Sequence, residues 1–322
     1  MRAFVTGGTG FVGAHLVAAL RARGDVVTAL VRAPERAARL GWGDAVRLVH
    51  GDLNDAAALA AGMAEADVVF HVAGTISGHT PAAFFRVNRD GTARVLEAAA
   101  VVPRSRLVFV STLGAAGPSP AGRPHETGEE TGPVTDYARS KLAAEDLVRG
   151  SDLAWTIVRP PAVYGEWDPE FLRVFKLARL GVAPVFGAGT QELSFVHAAD
   201  LALALIAAGE RGTLGRTYYA AHPAIHTSRA VALAAGRAVG RTPRIVSVPG
   251  GLARGLLGAI GTAARLVGHS TLLTADKANE FLAPAWTCSP APLTRDTGWQ
   301  AEHDLEAGFR RTAAWYREHG WL

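Results

Sequence analysis

The stretch MRAFVTGGTGFVGAHLVAALRARG, residues 1–24, decides the fold. Ala3 to Val5 make a short apolar run that predicts a strand entering the protein interior. From Phe11 onward Val12, Leu16, Val17 and Leu20 recur at helical spacing up to Gly24. Between strand and helix stand Gly7, Gly8, Gly10 and Gly13, with the pattern Gly7-x-x-Gly10-x-x-Gly13. Glycine takes positive φ and lets another backbone or a ligand approach closely, so the pattern predicts a tight strand-to-helix turn. The free N–H groups of the helix's first turn then face the crevice and favour an anion such as a pyrophosphate. The spacing matches the G-x-G-x-x-G fingerprint in outline only.

Downstream, VVTALV (26–31), RLVH (47–50) running into GDLND, DVVFHVAG (67–74) and RLVFVST (106–112) read as further strands. WTIVRPPAVYG adds a sixth, ended by Pro160 and Pro161. Helical patterns lie between them, notably over Phe84 to Val101 and Tyr137 to Arg149. Short, continuously apolar strands alternating with helices predict a parallel sheet covered on both faces, an α/β fold. A helix over Ala199 to Ala208 and a strand over Arg216 to Ala220 continue the style, while the segment from about Ala224 reads as mostly helical. The expected division is a nucleotide-binding domain of residues 1–160 and 190–222 with a smaller lobe of residues 161–189 and 223–322.

Composition narrows the partners. The 322 residues are 49% hydrophobic, enough for a large core and far from the disordered range. Net charge is +4 and the pI about 9.6, but the arginines are scattered, without the basic and aromatic runs that nucleic-acid binding needs. The single Cys288 excludes an intrachain disulfide and a cysteine-rich zinc site, which fits a reducing cytoplasm. With the first strand beginning at residue 2, no cleavable signal peptide is expected. The most apolar stretch, PGGLARGLLGAIGTAARLVG, is interrupted by Arg254 and Arg265 and is too short between charges to span a bilayer. A soluble cytoplasmic protein without bound metal is expected.

The chemistry begins at YARSK, which puts Tyr137 and Lys141 four apart on one helix face. A phenol titrates near ~10 and is a poor acid or base at neutral pH. A neighbouring ammonium favours the phenolate, so Lys141 is expected to lower the Tyr137 pKa toward neutrality. Such a tyrosine gives a proton to a carbonyl oxygen, or takes one from a hydroxyl, while hydride moves at the adjacent carbon. VSTLGAAG ends the fifth strand with Ser111 and Thr112 at the carboxyl edge, where open α/β sheets bind ligands. The GxSxG and HExxH signatures of hydrolases are missing.

The ordered set TGGTGFVG, GDLND, HVAG, NRDGT, VST, YARSK, VRPPAVYG and FVHAADLA resembles the extended short-chain dehydrogenases/reductases of the NAD-dependent epimerase/dehydratase superfamily. The resemblance is dense over residues 1 to 220 and loose beyond. It implies a Rossmann-type, doubly wound parallel sheet with a mostly helical C-terminal substrate lobe. It also implies that Gly7, Gly10 and Gly13, with Thr9, Phe11 and Val12 beside them, hold the cofactor pyrophosphate. Asp52 and Leu53 would flank the adenine, and Ala73, Gly74 and Pro160 would run along the cofactor. Thr112 would hydrogen-bond the reacting oxygen, Tyr137 would act as acid/base, and Lys141 would hold the nicotinamide ribose. Asn88 and Ser111 would support the site, and His197 and Asp200 would fix the loop beneath it. In the family the helices around residues 84–101 and 137–149 pair across a two-fold axis, so a homodimer is expected.

NAD enzymes of this fold usually end the second strand with an acidic residue that binds the ribose hydroxyls. Here ALVRAPER has Val31 and then Arg32, with Arg36 one turn on. Guanidinium groups pair with a 2′-phosphate, so NADP(H) is expected over NAD(H). The C-terminal third resembles the 3β-hydroxysteroid dehydrogenase and dihydroflavonol reductase branch, and residues 250–286 are expected to line an apolar pocket for a bulky ketone or alcohol. A nucleotide-sugar epimerase, dehydratase or reductase is the alternative. Such relatives commonly carry an arginine just before the Phe of FVHAADLA, where this chain has Leu193 and Ser194, although Arg173 and Arg179 remain as cations. A cofactor-binding sensor without catalysis is the third reading, and the presence of both Tyr137 and Lys141 speaks against it.

Overall fold

The computed structural model describes residues 1–78, 80–102, 105–126, 130–266 and 274–322. Strand β1 (Arg2–Thr6) enters the glycine turn, which opens directly into the helix Phe11–Ala22. Around β1 stand β2 (Val26–Val31), β3 (Arg47–His50), β4 (Val68–His71), β5 (Arg106–Val110), β6 (Ala154–Arg159) and the strand Arg216–Tyr219. They form one seven-stranded sheet, ordered Arg216–Tyr219, β6, β5, β4, β1, β2, β3. Every pairing in it is parallel.

The chain builds outward from β1 to β3 and then returns to β4 on the other side of β1. That reversal leaves a crevice at the carboxyl ends of β1 and β4, which pair through Thr6 and His71. Alternation of side chains along each strand feeds two cores. Val5 packs with Leu16, Val17, Leu20, Leu201 and Leu205 on one face. Phe4 packs with Leu59, Val95, Phe109 and Val148 on the other. Both faces are therefore dry, and the continuous apolar runs of the sequence follow.

The helical pattern over Phe84 to Val101 is found as an unbroken helical run, Pro81–Phe85, a π-helical turn Arg86–Asp90, and Gly91–Ala99, and one expectation about elements is corrected. A side chain at Gly91 would meet Leu53 Cδ1 at 2.7 Å, so the chain passes close to the GDLND turn there. The C-terminal third holds more strand than its sequence suggested. Arg244–Val248 pairs in parallel with Val182–Phe186, and Glu192–Leu193 is sandwiched between His226–Thr227 and Ala285–Trp286.

Beyond the sheet, an aromatic cluster of Tyr164, Phe175, Phe195, Phe309 and Tyr316 joins the helices Pro169–Arg179, Ser228–Ala238 and Leu305–Glu318. Tyr164 meets Phe309 edge to face at 4.9 Å. Leu293 and Trp299 instead pack into the core beneath the sheet, so the C-terminal segment is stitched to both bodies. Among the described residues no helix is long and apolar enough to cross a membrane.

Candidate active site

The crevice between β1 and β4 is closed at its base by the glycine turn. Gly7 has φ +73°, and a side chain there would lie 2.6 Å from the Ala73 nitrogen. At Gly13 a Cβ would stand 2.1 Å from the Gly7 carbonyl oxygen, so only glycine lets the turn fold onto the first helix. Gly10 begins that helix without a capping side chain, and its first turn has no acidic residue. The N–H groups there are thus left for an external anion, as a pyrophosphate requires. The neighbouring floor is fixed by His71, whose two ring nitrogens contact Thr6 Oγ1 at 2.7 Å and Thr92 Oγ1 at 2.9 Å. Burial lowers the His71 pKa to about 3, which keeps the ring neutral between its hydroxyl partners.

Asn88 holds the turn after β4. Its Nδ2 donates to the Thr75 carbonyl at 3.0 Å and to Ser140 Oγ at 2.9 Å, while its Oδ1 accepts from the Thr75 N–H at 2.8 Å. A single buried amide thereby ties the Ala73–Gly74 turn to the helix Asp136–Arg149, and the π-helical turn around Asn88 aims it there. On that helix, Tyr137 and Lys141 line one cleft of about 630 Å³ with Thr112, Ser111, Gly74, Phe11, Val12 and Pro160. Lys141 is 3% exposed; its ammonium donates to the Val110 carbonyl at 2.7 Å and lies 4.2 Å from the centre of the Phe109 ring. Burial lowers its pKa to about 7, against the opposing pull of the Glu145 carboxylate.

The phenol behaves differently from the expectation. Burial pushes Tyr137 well above its ordinary pKa, the Glu280 carboxylate adds to this, and the hydrogen bond with Thr112 acts the other way. The causes of this shift do not include Lys141, whose ammonium donates to the Val110 carbonyl at the end of β5. Ser111 Oγ is buried and has no hydrogen-bond partner among the described residues, although Ser111 lines the cleft. An orphaned hydroxyl at the carboxyl edge of the sheet is a place prepared for a bound group.

At the far end of the crevice, Arg32 follows β2 directly and Arg36 lies in the next helix; both are exposed and neither is ion-paired among the described residues. Asp52 is exposed, with Oδ1 accepting from the Asn54 N–H at 2.7 Å, and Leu53 is half-buried against Gly91. Thr9 sits half-buried in the glycine turn. The turn and these arginines together fit a dinucleotide. His197 and Asp200 do not line the cleft. Asp200 Oδ2 accepts from the His303 N–H at 2.9 Å, and His197 stacks on His303 at 4.4 Å, so both anchor the C-terminal segment.

The other half of the cleft was largely invisible in the sequence. Its walls are Ile76, Pro81, Phe84, Pro161, Val163 and Phe171, and its rim carries Thr135, Asp168, Asp276, Lys277 and Glu280. Within the expected pocket-forming stretch 250–286, residues 267–273 lie outside the described residues. Of the described residues in that stretch only Thr274, Ala275, Asp276, Lys277 and Glu280 reach the cleft, and this part of the lining is mostly polar. Among the described residues, none from 250 to 264 in the Leu-rich helix Gly250–Leu266 lines it. Arg173 and Arg179 do not line the cleft either, and Arg173 pairs with Glu170 at 3.2 Å.

Among known proteins the chain is similar to the ceramide reductase of Caulobacter vibrioides, 36% identical over 99% of this chain and 95% of that protein. It is also similar to the 4-hydroxy-2-methyl-3-oxo-4-farnesyl-3,4-dihydroquinoline-1-oxide ketoreductase of Stigmatella aurantiaca, 35% identical over 68% of this chain and 67% of the relative. Among solved structures it superimposes on the UDP-glucose 4-epimerase of Thermus thermophilus in complex with NAD, with a TM-score of 0.78 and 25% identity, covering 98% and 99% of the two chains. The model of the NAD dependent epimerase/dehydratase family matches residues 3–221. The crevice, the glycine turn and the Tyr137–Lys141 helix thus lie in a chain that belongs to the NAD dependent epimerase/dehydratase family and is an NAD(P)-dependent enzyme of the extended short-chain dehydrogenase/reductase type.

Proposed function

We propose that this enzyme reduces a ketone on a bulky, long-chain apolar substrate with NADP(H), through Thr112, Tyr137 and Lys141. The observation that carries this reading is the make-up of the substrate half of the cleft. Its walls are apolar, and the only cations lining the cleft among the described residues are Lys141 and Lys277, the latter paired with Glu280. Asp136, Asp168, Glu170 and Asp276 line it as well. A sugar nucleotide's diphosphate would lose hydration there without cations to replace it. Two of the reductases similar to this chain bear a ceramide and a farnesyl quinoline in their names, which supports the same class, in line with the hydroxysteroid and dihydroflavonol reductase style of the C-terminal third.

When bound, the nicotinamide cofactor supplies the hydride. The glycine turn and the open first turn of the helix Phe11–Ala22 would hold its pyrophosphate, and Arg32 and Arg36 would take a 2′-phosphate. Thr112 donates to the carbonyl oxygen and orients it toward Tyr137. The raised phenol stays protonated at neutral pH, which is the form that delivers a proton to the oxygen as the carbonyl becomes an alcohol. Lys141 carries a proton whose release near pH 7 is set by its own burial. Half-buried Phe85, Leu142 and Ala143 and exposed Leu147 give the two flanking helices an apolar outer face, which supports a homodimer. A monomer by light scattering at micromolar concentration would remove that part.

The reading is tested by following NADPH oxidation with long-chain ketones beside UDP-, GDP- and dTDP-sugars. Turnover of the ketones alone is expected. Turnover of a sugar nucleotide with inert ketones would transfer the assignment to the epimerase/dehydratase alternative, and cofactor binding without any turnover would favour a sensor.

A further inference from the structure

A short strap, Thr274 to Phe281, crosses the first turn of the Tyr137 helix and is fastened to it at three points. Asp276 Oδ2 accepts from the Asp136 N–H at 3.0 Å, Asn279 Nδ2 donates to the Val134 carbonyl at 3.2 Å, and Thr135 Oγ1 donates to Glu280 Oε1 at 2.9 Å. Thr135 is also the cap of that helix, accepting from the Ala138 N–H at 3.3 Å. The Glu280 backbone is held from behind, where its carbonyl accepts from Trp286 Nε1 at 2.8 Å and Gln191 Nε2 at 3.0 Å. The carboxylate is thus fixed on the wall of the cleft that holds Tyr137, and its charge is felt at the phenol.

From this geometry we infer that Glu280 forms a donor-reading subsite beside Tyr137, which takes a neutral N–H or O–H carried next to the carbonyl that is reduced. The inference rests on the ketone-reductase reading above and narrows it from any apolar ketone to one with an acylamino or hydroxyl neighbour. A carboxylate has about four lone-pair positions. At Glu280 one is used by Thr135 and one by Lys277, which leaves capacity for a further donor. Lys277 balances the charge of Glu280, so a neutral donor suits the subsite better than an ammonium. A second, separate observation points to a polar head group in the same cleft. Ser111 Oγ is buried, 4% exposed as a residue, and lacks any partner among the described residues. A plain hydrocarbon ketone would leave this hydroxyl without a partner and the spare lone pairs of Glu280 unused, and a substrate with polar groups around its carbonyl would not.

The test compares kcat/KM with NADPH for a long-chain N-acyl α-amino ketone and a plain ketone of equal carbon number. Their ratio within one enzyme preparation does not depend on the folded fraction, so a destabilised variant remains informative. Wild type is expected to prefer the acylamino ketone by tenfold or more. Glu280→Gln should lower that ratio several-fold, and Glu280→Ala should abolish the preference. A wild type without preference, or a preference that survives in both variants, overturns the subsite and leaves the ketone-reductase reading standing. Inertness of both ketones in wild type overturns both.

Discussion

At one end of the sheet's carboxyl edge stand the glycine turn, with its backbone N–H groups, and two arginines without ion-pair partners among the described residues, whereas the strap around Glu280 offers carboxylates and a threonine hydroxyl. The first end is built to receive negative charge and the second to repel it. Both ends are rigid, but for different reasons. At the turn, rigidity comes from close backbone packing that any added side chain would break. At the strap it comes from side-chain hydrogen bonds between segments 145 residues apart in the chain. The comparison separates what is common to the family's chemistry from what selects the substrate.

The contrast is broken most severely at the point where the two ends meet. Tyr137→Phe removes only the hydroxyl that we propose delivers the proton, so kcat should fall by ~10²–10⁴-fold while cofactor affinity is retained. Stopped-flow turnover beside a fluorescence titration with NADPH reads both quantities. Near-normal turnover would show that another group moves the proton.

At the glycine-turn end, Arg32→Asp would exchange attraction for repulsion at the 2′-phosphate of the proposed NADP(H). About 1.5–3 kcal/mol of NADPH affinity should disappear, with NADH affinity little changed. Equal binding of the two cofactors by wild type would remove Arg32 from this role.

A smaller effect comes from Lys141. In the folded protein it releases its proton near pH 7, whereas in the unfolded chain it holds it to about 10.5. Between those values unfolding takes up a proton, so stability should rise with pH. The gain from pH 7 to pH 9 should be on the order of 2 kcal/mol and should vanish in Lys141→Met. Urea denaturation at the two pH values measures it, and a stability that is flat or falling in wild type contradicts a buried lysine of this kind.

How much of this was legible beforehand follows the same division. β1, the glycine turn and the helix after it are local features, and their residues state them in sequence order. The Tyr137–Lys141 pair was equally local, since helical spacing alone brings it to one face. Its electrostatics were not, because the direction of the Lys141 ammonium depends on β5 lying beneath it and the phenol responds to burial. Glu280, Asp168 and Phe84 carry no motif, and only the folded chain gathers them around the tyrosine. The strand Arg244–Val248 was missed because its half-exposed residues lie on a small two-stranded edge rather than in the main sheet.

The central claim is that the second end of the cleft receives hydrocarbon and repels a diphosphate. The most direct measurement is kcat/KM with NADPH across a homologous series of alkyl ketones, with a sugar nucleotide as competitor. Each added methylene should raise kcat/KM about fourfold, from about 0.8 kcal/mol of burial, until the apolar walls of Ile76, Phe84, Val163 and Phe171 are covered. The sugar nucleotide should compete poorly throughout. A flat hydrocarbon series together with strong competition or turnover by the sugar nucleotide would contradict the account.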